Sequence, residues 1–247
     1  MEKIPLFPLG LVLLPGMPLQ LHIFEERYKL MMSECLSGDK PFGIVQFDGK
    51  AIHSVGCMAR ITEVLHRYED GRMDIMTRGG QRFFVKELIE EKPYTEARVV
   101  FFDDEDVVAA ADAADAMDAV RAMLKELEES GFLSDPIEAA ALSDPKTLSF
   151  AIAALEGFTH EERQRFVEMT SSMERLKKSV EALARIVERV QLTQQIEKII
   201  GGNGHPPKSI ATEPPEATGS KSPTETMERG ATAPRPPGRP GGCPRRM

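Results

Sequence analysis

Asp103, Asp104, Glu105 and Asp106 form the densest group of side chains that could do chemistry, and cation binding is the chemistry they suggest. A calcium loop spaces its oxygen ligands and turns sharply at an internal glycine. This run does neither, so it reads as a solvated linker leading into a helix. Glu25 and Glu26 are a second carboxylate pair, but neighbours on a helix point in different directions, which suits a helix N-terminus better than paired acid–base work. Cys35, Cys57 and Cys243 are too sparse for a disulfide framework or a C-x-x-C site, and the five histidines are scattered, so no metal is expected. Gly202-x-x-x-x-Pro207-Lys208-Ser209 has the outline of a phosphate loop. Proline, however, stands where a glycine amide should face phosphate, and no strand precedes it. Gly43 to Lys50 has one residue too many and ends in Ala51, so neither nucleotide nor any other cofactor is expected. No Ser/His/Asp arrangement announces itself; triad partners can be remote in sequence, and an enzyme with a cleft site stays as an alternative.

The elements that must position any site begin with residues 4–36, an apolar run cut by Pro5, Pro8, Pro15, Gly16 and Pro18 and followed by an amphipathic stretch. The prolines break any helical signal sequence, and the run reaches Gln20 and His22 well short of the roughly 20 apolar residues a membrane helix needs. A cytoplasmic location is expected. Two short strands are read instead, Lys3 to Phe7 and Pro18 to Phe24, around a Pro15-Gly16 turn suited to type II geometry. Leu19, Leu21 and Ile23 alternate with Gln20 and His22; then Phe24, Tyr28, Met31, Met32, Cys35 and Leu36 fall at helical spacing up to Ser37-Gly38. Asp70-Gly71 marks a hairpin between Ala59-Ile61-Glu63 and Met73-Ile75-Thr77, with further strands at residues 42–47, 82–88 and 95–102. Gly79-Gly80 lies between two strand runs, where a close approach by a ligand competes with a bulge; the bulge is the commoner cause.

These residues resemble the stand-alone relatives of the Lon protease N-terminal domain, also called the Lon substrate-binding domain. The likeness rests on three ordered blocks in the first hundred residues: Pro5-Leu-Phe-Pro-Leu-Gly10 with Val12 to Gly16 and Leu21 to Tyr28; Gly56 to Ile61 with Asp70-Gly71-Arg72; and Arg78-Gly-Gly-Gln-Arg-Phe83. It implies an α+β fold, in which an N-terminal twisted antiparallel β-sheet or pseudo-barrel of the PUA-like, Lon N-domain type precedes a C-terminal helical bundle with a long last helix.

From Asp106 the composition turns helical. Met117, Val120, Leu124 and Leu127 form one stripe ending at Ser130-Gly131. Asp144-Pro145 offers a cap with proline at the first helical position, and Thr159-x-x-Glu162 and Ser171-x-x-Glu174 read as capping boxes. Met173, Leu176, Val180, Leu183, Val187 and Val190 alternate spacings of three and four. That stripe could serve self-association, but it meets Gln194 and Glu197 before completing three or four heptads, which favours packing inside the helical half. Residues 201–247 hold 10 of the 18 prolines and 8 of the 19 glycines with no aromatic residue, too little apolar surface to offset ordering. The expected organisation is a β-rich domain over 1–103, a helical domain over 104–200 and a disordered tail over 201–247; a polyproline docking motif at Pro234 to Pro240 is the lesser reading of that tail.

The tail carries seven Lys/Arg against four Asp/Glu, leaving 24 against 35 in residues 1–200. A part this acidic lacks the overall attraction that supplies most non-specific nucleic-acid binding. RNA binding therefore remains a minor alternative, carried by Arg60, Arg67, Arg72, Arg78 and Arg82, whose ordinary reading is a solvated sheet face. Full-length Lon proteases follow this domain with ATPase and protease modules, and 247 residues hold neither, so the resemblance implies a non-catalytic polypeptide-binding module, an adaptor or holdase. Its partners would be unfolded or exposed apolar polypeptide segments and a protease in trans, with no membrane. Thirteen methionines, Met31, Met32, Met73 and Met76 among them, could adapt to varied partners, although core filling is their commoner use. The segments most like the family make Pro15, Gly16, Met17, Phe24, Tyr28, Gly79 and Gly80 the candidate polypeptide-binding residues.

Overall fold

The computed structural model describes residues 1–105, 111–133, 137 and 141–202. The strands are β1 (Glu2–Leu9), β2 (Pro18–Ile23), β3 (Phe42–Phe47), β4 (Ile52–Arg67), β5 (Met73–Ile89) and β6 (Glu96–Phe102). The helices are α1 (Glu26–Ser37), α2 (Ala114–Glu129), α3 (Pro145–Ala154), α4 (His160–Glu168) and α5 (Ser172–Gly202). The tail beyond Gly202, and the helix start expected at Asp106, lie outside the described residues.

The sheet runs β2-β5-β4-β3-β1-β6, and β6 pairs with β5 as well as β1, so five strands close into a ring and β2 hangs outside it. This is the expected α+β fold with a pseudo-barrel. One pairing departs from an antiparallel plan: Leu6–Leu9 of β1 run parallel to Gly43–Gln46 of β3. The intervening β2 and α1 supply the long crossover a parallel pair needs. The strand runs expected on either side of Gly79-Gly80 are one continuous β5, because the register shifts opposite the segment between Cys57 and Ala59 and the chain does not turn away. Beyond β4 on one edge, β5 carries β2 against Met73–Arg78 and β6 against Arg82–Ile89.

Local signals place the helices. Asp144 accepts from the Thr147 amide with Pro145 in the first turn, and Thr159 and Glu162 close a reciprocal capping box. Gly131 follows α2 with φ of 76°. One core joins the helices to the sheet: Val12, Leu14 and Val55 pack with Met117, Val120, Leu124 and Leu127 of α2 and with Leu176, Leu183 and Val187 of α5. Met173, Val180 and Val190 pack partly buried against the same cluster, so the heptad-like stripe of α5 faces the interior. The described residues form one compact unit. A second cluster lies under α1, where Tyr28, Met31, Met32 and Cys35 meet Ile23, Phe42 and Ile75, and a third around Phe83 fills the ring.

Two surface readings are overturned. Arg82 is 2 % exposed rather than on a solvated face, and the Asp104 carboxylate, 3 % exposed, lies inside and not in a solvated linker. Arg82 Nη2 donates to Asp104 Oδ1 at 2.5 Å, and Arg175 donates to Asp104 Oδ2 at 2.6 Å and to Ser149 Oγ at 2.8 Å. The carbonyl oxygens of Val167 and Met169 accept from Arg82, and Phe150 lies against both guanidiniums, 5.2 Å from Arg82 and 3.9 Å from Arg175. Charged side chains are buried only when so satisfied, and two arginines sharing one carboxylate meet that condition. The knot ties β5 to α3, the α4–α5 connection and α5.

Candidate functional site

The chain between β1 and β2 is pinned at the start of β2. The Gly16 amide donates to the Gly79 carbonyl and the Gly79 amide to the Met17 carbonyl, both at 2.9 Å. Gly16 has φ of 79°, which the turn needs and glycine supplies without strain. A Cβ on Gly79 would come to 2.0 Å from the Leu14 carbonyl oxygen, so beside the bulge there is a close backbone approach at Gly79, and it is made by the protein's own turn. Gly80 is exposed, with the Met58 carbonyl oxygen 3.6 Å from an ideal Cβ. Pro15, Gly16, Met17 and Gly79 are thus brought together as a backbone staple that fixes where β2 begins.

The other end of β2 opens onto a groove of about 300 Å³, lined by Phe7, Pro8 and Leu9 of β1, by Leu21 to Phe24, and by Glu25, Arg27 and Tyr28 at the head of α1. Tyr28 is buried and forms its floor with Phe7, ring centroids 4.2 Å apart, and Phe42 stands 6.2 Å beyond. Burial pushes the Tyr28 hydroxyl pKa up. Phe24 is 59 % exposed and stacks on His22 at 5.9 Å, which leaves a large ring at the rim without cover. Of the seven sequence candidates, therefore, Phe24 and Tyr28 share the groove and the other five lie away from it.

Charges around the groove are paired. His22 Nδ1 lies 2.5 Å from Asp74 Oδ1, and the Tyr68 hydroxyl donates to Asp74 Oδ2 at 2.8 Å; both contacts hold the Asp74 carboxyl below its usual range. Arg27 bonds Glu25 at 2.8 Å and lies over the Tyr28 ring. Lys29 reaches Glu26 at 2.8 Å and the Asp70 carbonyl at 2.9 Å. The arginines of the hairpin disperse too: Arg60 pairs with Asp39, Arg72 with Asp70, and Arg78 donates to the Gly16 carbonyl. Cys35 and Cys57 are poor nucleophiles, since burial pushes the Cys35 thiol up to about 11 and the Cys57 thiol up to about 12.

Sequence reasoning missed a second, larger groove of about 530 Å³ between the sheet and the chain that joins α4 to α5, lined by Ser54, Val55, Phe84, Lys86, Val100, Phe102, Glu168 and Thr170. Phe84 and Val100 are partly exposed there. The only sequence signal was an apolar residue on the outward side of each strand, a pattern that does not reveal that the two strands adjoin.

Comparison with known proteins bears on the family and the fold. The chain is 30 % identical over 194 residues to a Lon protease of Roseiflexus castenholzii, covering 74 % of this chain and 24 % of that protein. It is 27 % identical over 215 residues to the Lon protease of Anaeromyxobacter dehalogenans, covering 81 % and 25 %. The chain thus spans about a quarter of the length of these relatives. Its fold is that of a Lon N-terminal domain protein from Xanthomonas campestris (TM-score 0.57, 22 % identity, covering 72 % of this chain and 96 % of that one). It is also that of the N-terminal domain of Mycobacterium avium complex Lon protease (TM-score 0.60, 17 % identity, 74 % and 98 %). The profile of the ATP-dependent protease La (LON) substrate-binding domain matches residues 3–185, from the first strand into the last helix, and the chain belongs to that family.

Proposed function

We propose that this chain is a non-catalytic polypeptide-binding module that retains unfolded segments through exposed apolar side chains, acting as a holdase or as an adaptor for a protease in trans. The observation that carries this reading is the groove at the end of β2, where Phe24 stands 59 % exposed over the buried Phe7–Tyr28 floor. An aromatic ring left in water beside an apolar wall gains most by covering a partner's apolar side chain, at roughly 25 cal/mol per Å² removed from water. The family's description supports the same reading, since it names substrate binding. Paired rim charges suit a partner chosen for apolar content rather than for charge.

Binding of reduced, carboxymethylated α-lactalbumin, a chain that cannot refold, tests the proposal. Retention of that polypeptide at stoichiometric ratios is the expected result. Failure to retain it sinks the reading.

A further inference from the structure

We infer that the outer edge of β2 receives an extended polypeptide segment as an added strand, its side chains entering the groove beside it. This rests on the polypeptide-binding reading above and specifies the partner's conformation.

The topology supplies the first argument. Among the described residues β2 has β5 as its sole strand partner, in register from Pro18↔Arg78 to Ile23↔Met73. Every second residue of an antiparallel strand turns its N–H and C=O away from its partner, so β2 presents a row of donors and acceptors outward. The groove lies along the second half of that row. A strand seen face-on shows alternate residues, whereas this groove is lined by three consecutive strand positions, Leu21, His22 and Ile23, by Phe24 just after them, and by Phe7, Pro8 and Leu9 opposite. Consecutive lining means the strand is met edge-on.

Composition supplies the second. Edges that must stay unpaired are blunted with lysines, inward charges or prolines. The six residues Pro18-Leu-Gln-Leu-His-Ile23 contain no Lys, Arg, Asp or Glu, and their one proline stands at the start, beside the turn pinned on Gly79. The edge from Leu19 to Ile23 is thus left able to pair.

Geometry and charge select the occupant. A strand laid along this edge places alternate side chains against Phe7, Tyr28 and Phe24. Glu25–Arg27, Glu26–Lys29 and His22–Asp74 are already matched, so an uncharged segment complements the rim and a charged one would have to break a pair.

Residue-resolved amide exchange on the full chain, with and without reduced carboxymethylated α-lactalbumin, decides the matter. The expected result is protection rising about tenfold or more at alternate amides between Leu19 and Ile23 when the polypeptide is bound. Phe24→Ala, which removes an exposed ring and leaves the fold intact, is expected to weaken binding roughly tenfold. Binding that leaves the β2 amides unchanged would overturn strand addition while the polypeptide-binding reading stands. The same holds if protection appears instead around Phe84 and Val100. Absence of any binding removes both. Protection of the same amides that grows with chain concentration alone, without added polypeptide, overturns the inference in favour of pairing with a second copy.

Discussion

Asp104 and Asp74 each hold two partners, one in the interior and one at the rim of the groove, and the two arrangements do different work. Asp104 lies between the buried guanidiniums of Arg82 and Arg175, which also meet the Val167 and Met169 carbonyls and the Phe150 ring, and the Asp103 carboxylate stands 3.8 Å from Arg82. Asp74 lies on the surface between His22 and Tyr68. Removing charges from water is costly and is recovered only through complete pairing, so the inner knot fixes a single arrangement of sheet and helices. The outer cluster, with the His22 side chain 46 % and the Asp74 side chain 20 % exposed, keeps part of its solvation and is open to screening. Rigidity is concentrated where the two halves meet, and the side chains left open lie where β2 ends.

The largest effect that can break this contrast comes from the knot. Asp104→Ala leaves two buried guanidiniums facing each other without their carboxylate, and should cost about 3–5 kcal/mol of stability in urea unfolding. Arg175→Met leaves the Arg82–Asp104 pair intact and neutral, so its cost should be clearly smaller. Equal costs would mean that the carboxylate is not the centre of the knot. Because Val12, Leu14 and Val55 share a core with α2 and α5, unfolding should remain one transition by fluorescence and far-ultraviolet dichroism in both variants.

Next in size is the staple at the start of β2. Gly79→Ala places a methyl group 2.0 Å from the Leu14 carbonyl oxygen, a backbone atom that cannot swing aside. A loss of about 1–3 kcal/mol is expected, with faster exchange at the Gly16 and Gly79 amides. Gly80→Ala meets nothing closer than the Met58 carbonyl at 3.6 Å and should fall within about 0.5 kcal/mol of wild type. The pair of variants separates a close approach from general intolerance of the bulge. Smaller again in stability is Phe24→Ala, within about 0.5 kcal/mol because the ring is already exposed, although its effect on binding should be the largest of the surface variants.

What the sequence disclosed divides along the same line. Signals that act within four residues were legible: Asp70-Gly71 at the hairpin, Pro145 after Asp144, and the Thr159–Glu162 box all stand where their chemistry requires. The proline-punctuated opening also led to the family, and through it to Phe24 and Tyr28 in the groove. Contacts across the chain were not legible. Arg82 meets Asp104 over 22 residues and Arg175 meets it over 71, and an arginine or aspartate in sequence carries no mark of which partner will bury it. At Gly79 a bulge outweighed a ligand's approach as the reading, and only the fold shows the Leu14–Met17 turn against it. The groove needed β1 to end beside β2, and the parallel pairing of β1 with β3 that contributes to this placement has no local signal.

The smallest predicted effect tests the outer cluster by pH. Hydrogen bonds from His22 and then Tyr68 lower the Asp74 pKa in the folded protein. A carboxylate depressed on folding stabilises fully above its unfolded value, near 3.9, and that contribution is lost as pH falls through the lower folded value. Wild type should therefore lose melting temperature on the acid side of about pH 4, and Asp74→Asn should show a shallower acid decline from a slightly lower neutral plateau. The corresponding comparison at constant pH uses salt: the outer cluster is exposed enough for screening to weaken it, while the melting deficit of Arg175→Met should hardly change between about 0.05 and 0.5 M salt. A strong salt dependence of the Arg175→Met deficit would place the inner knot in contact with solvent and erase the distinction between the two aspartates.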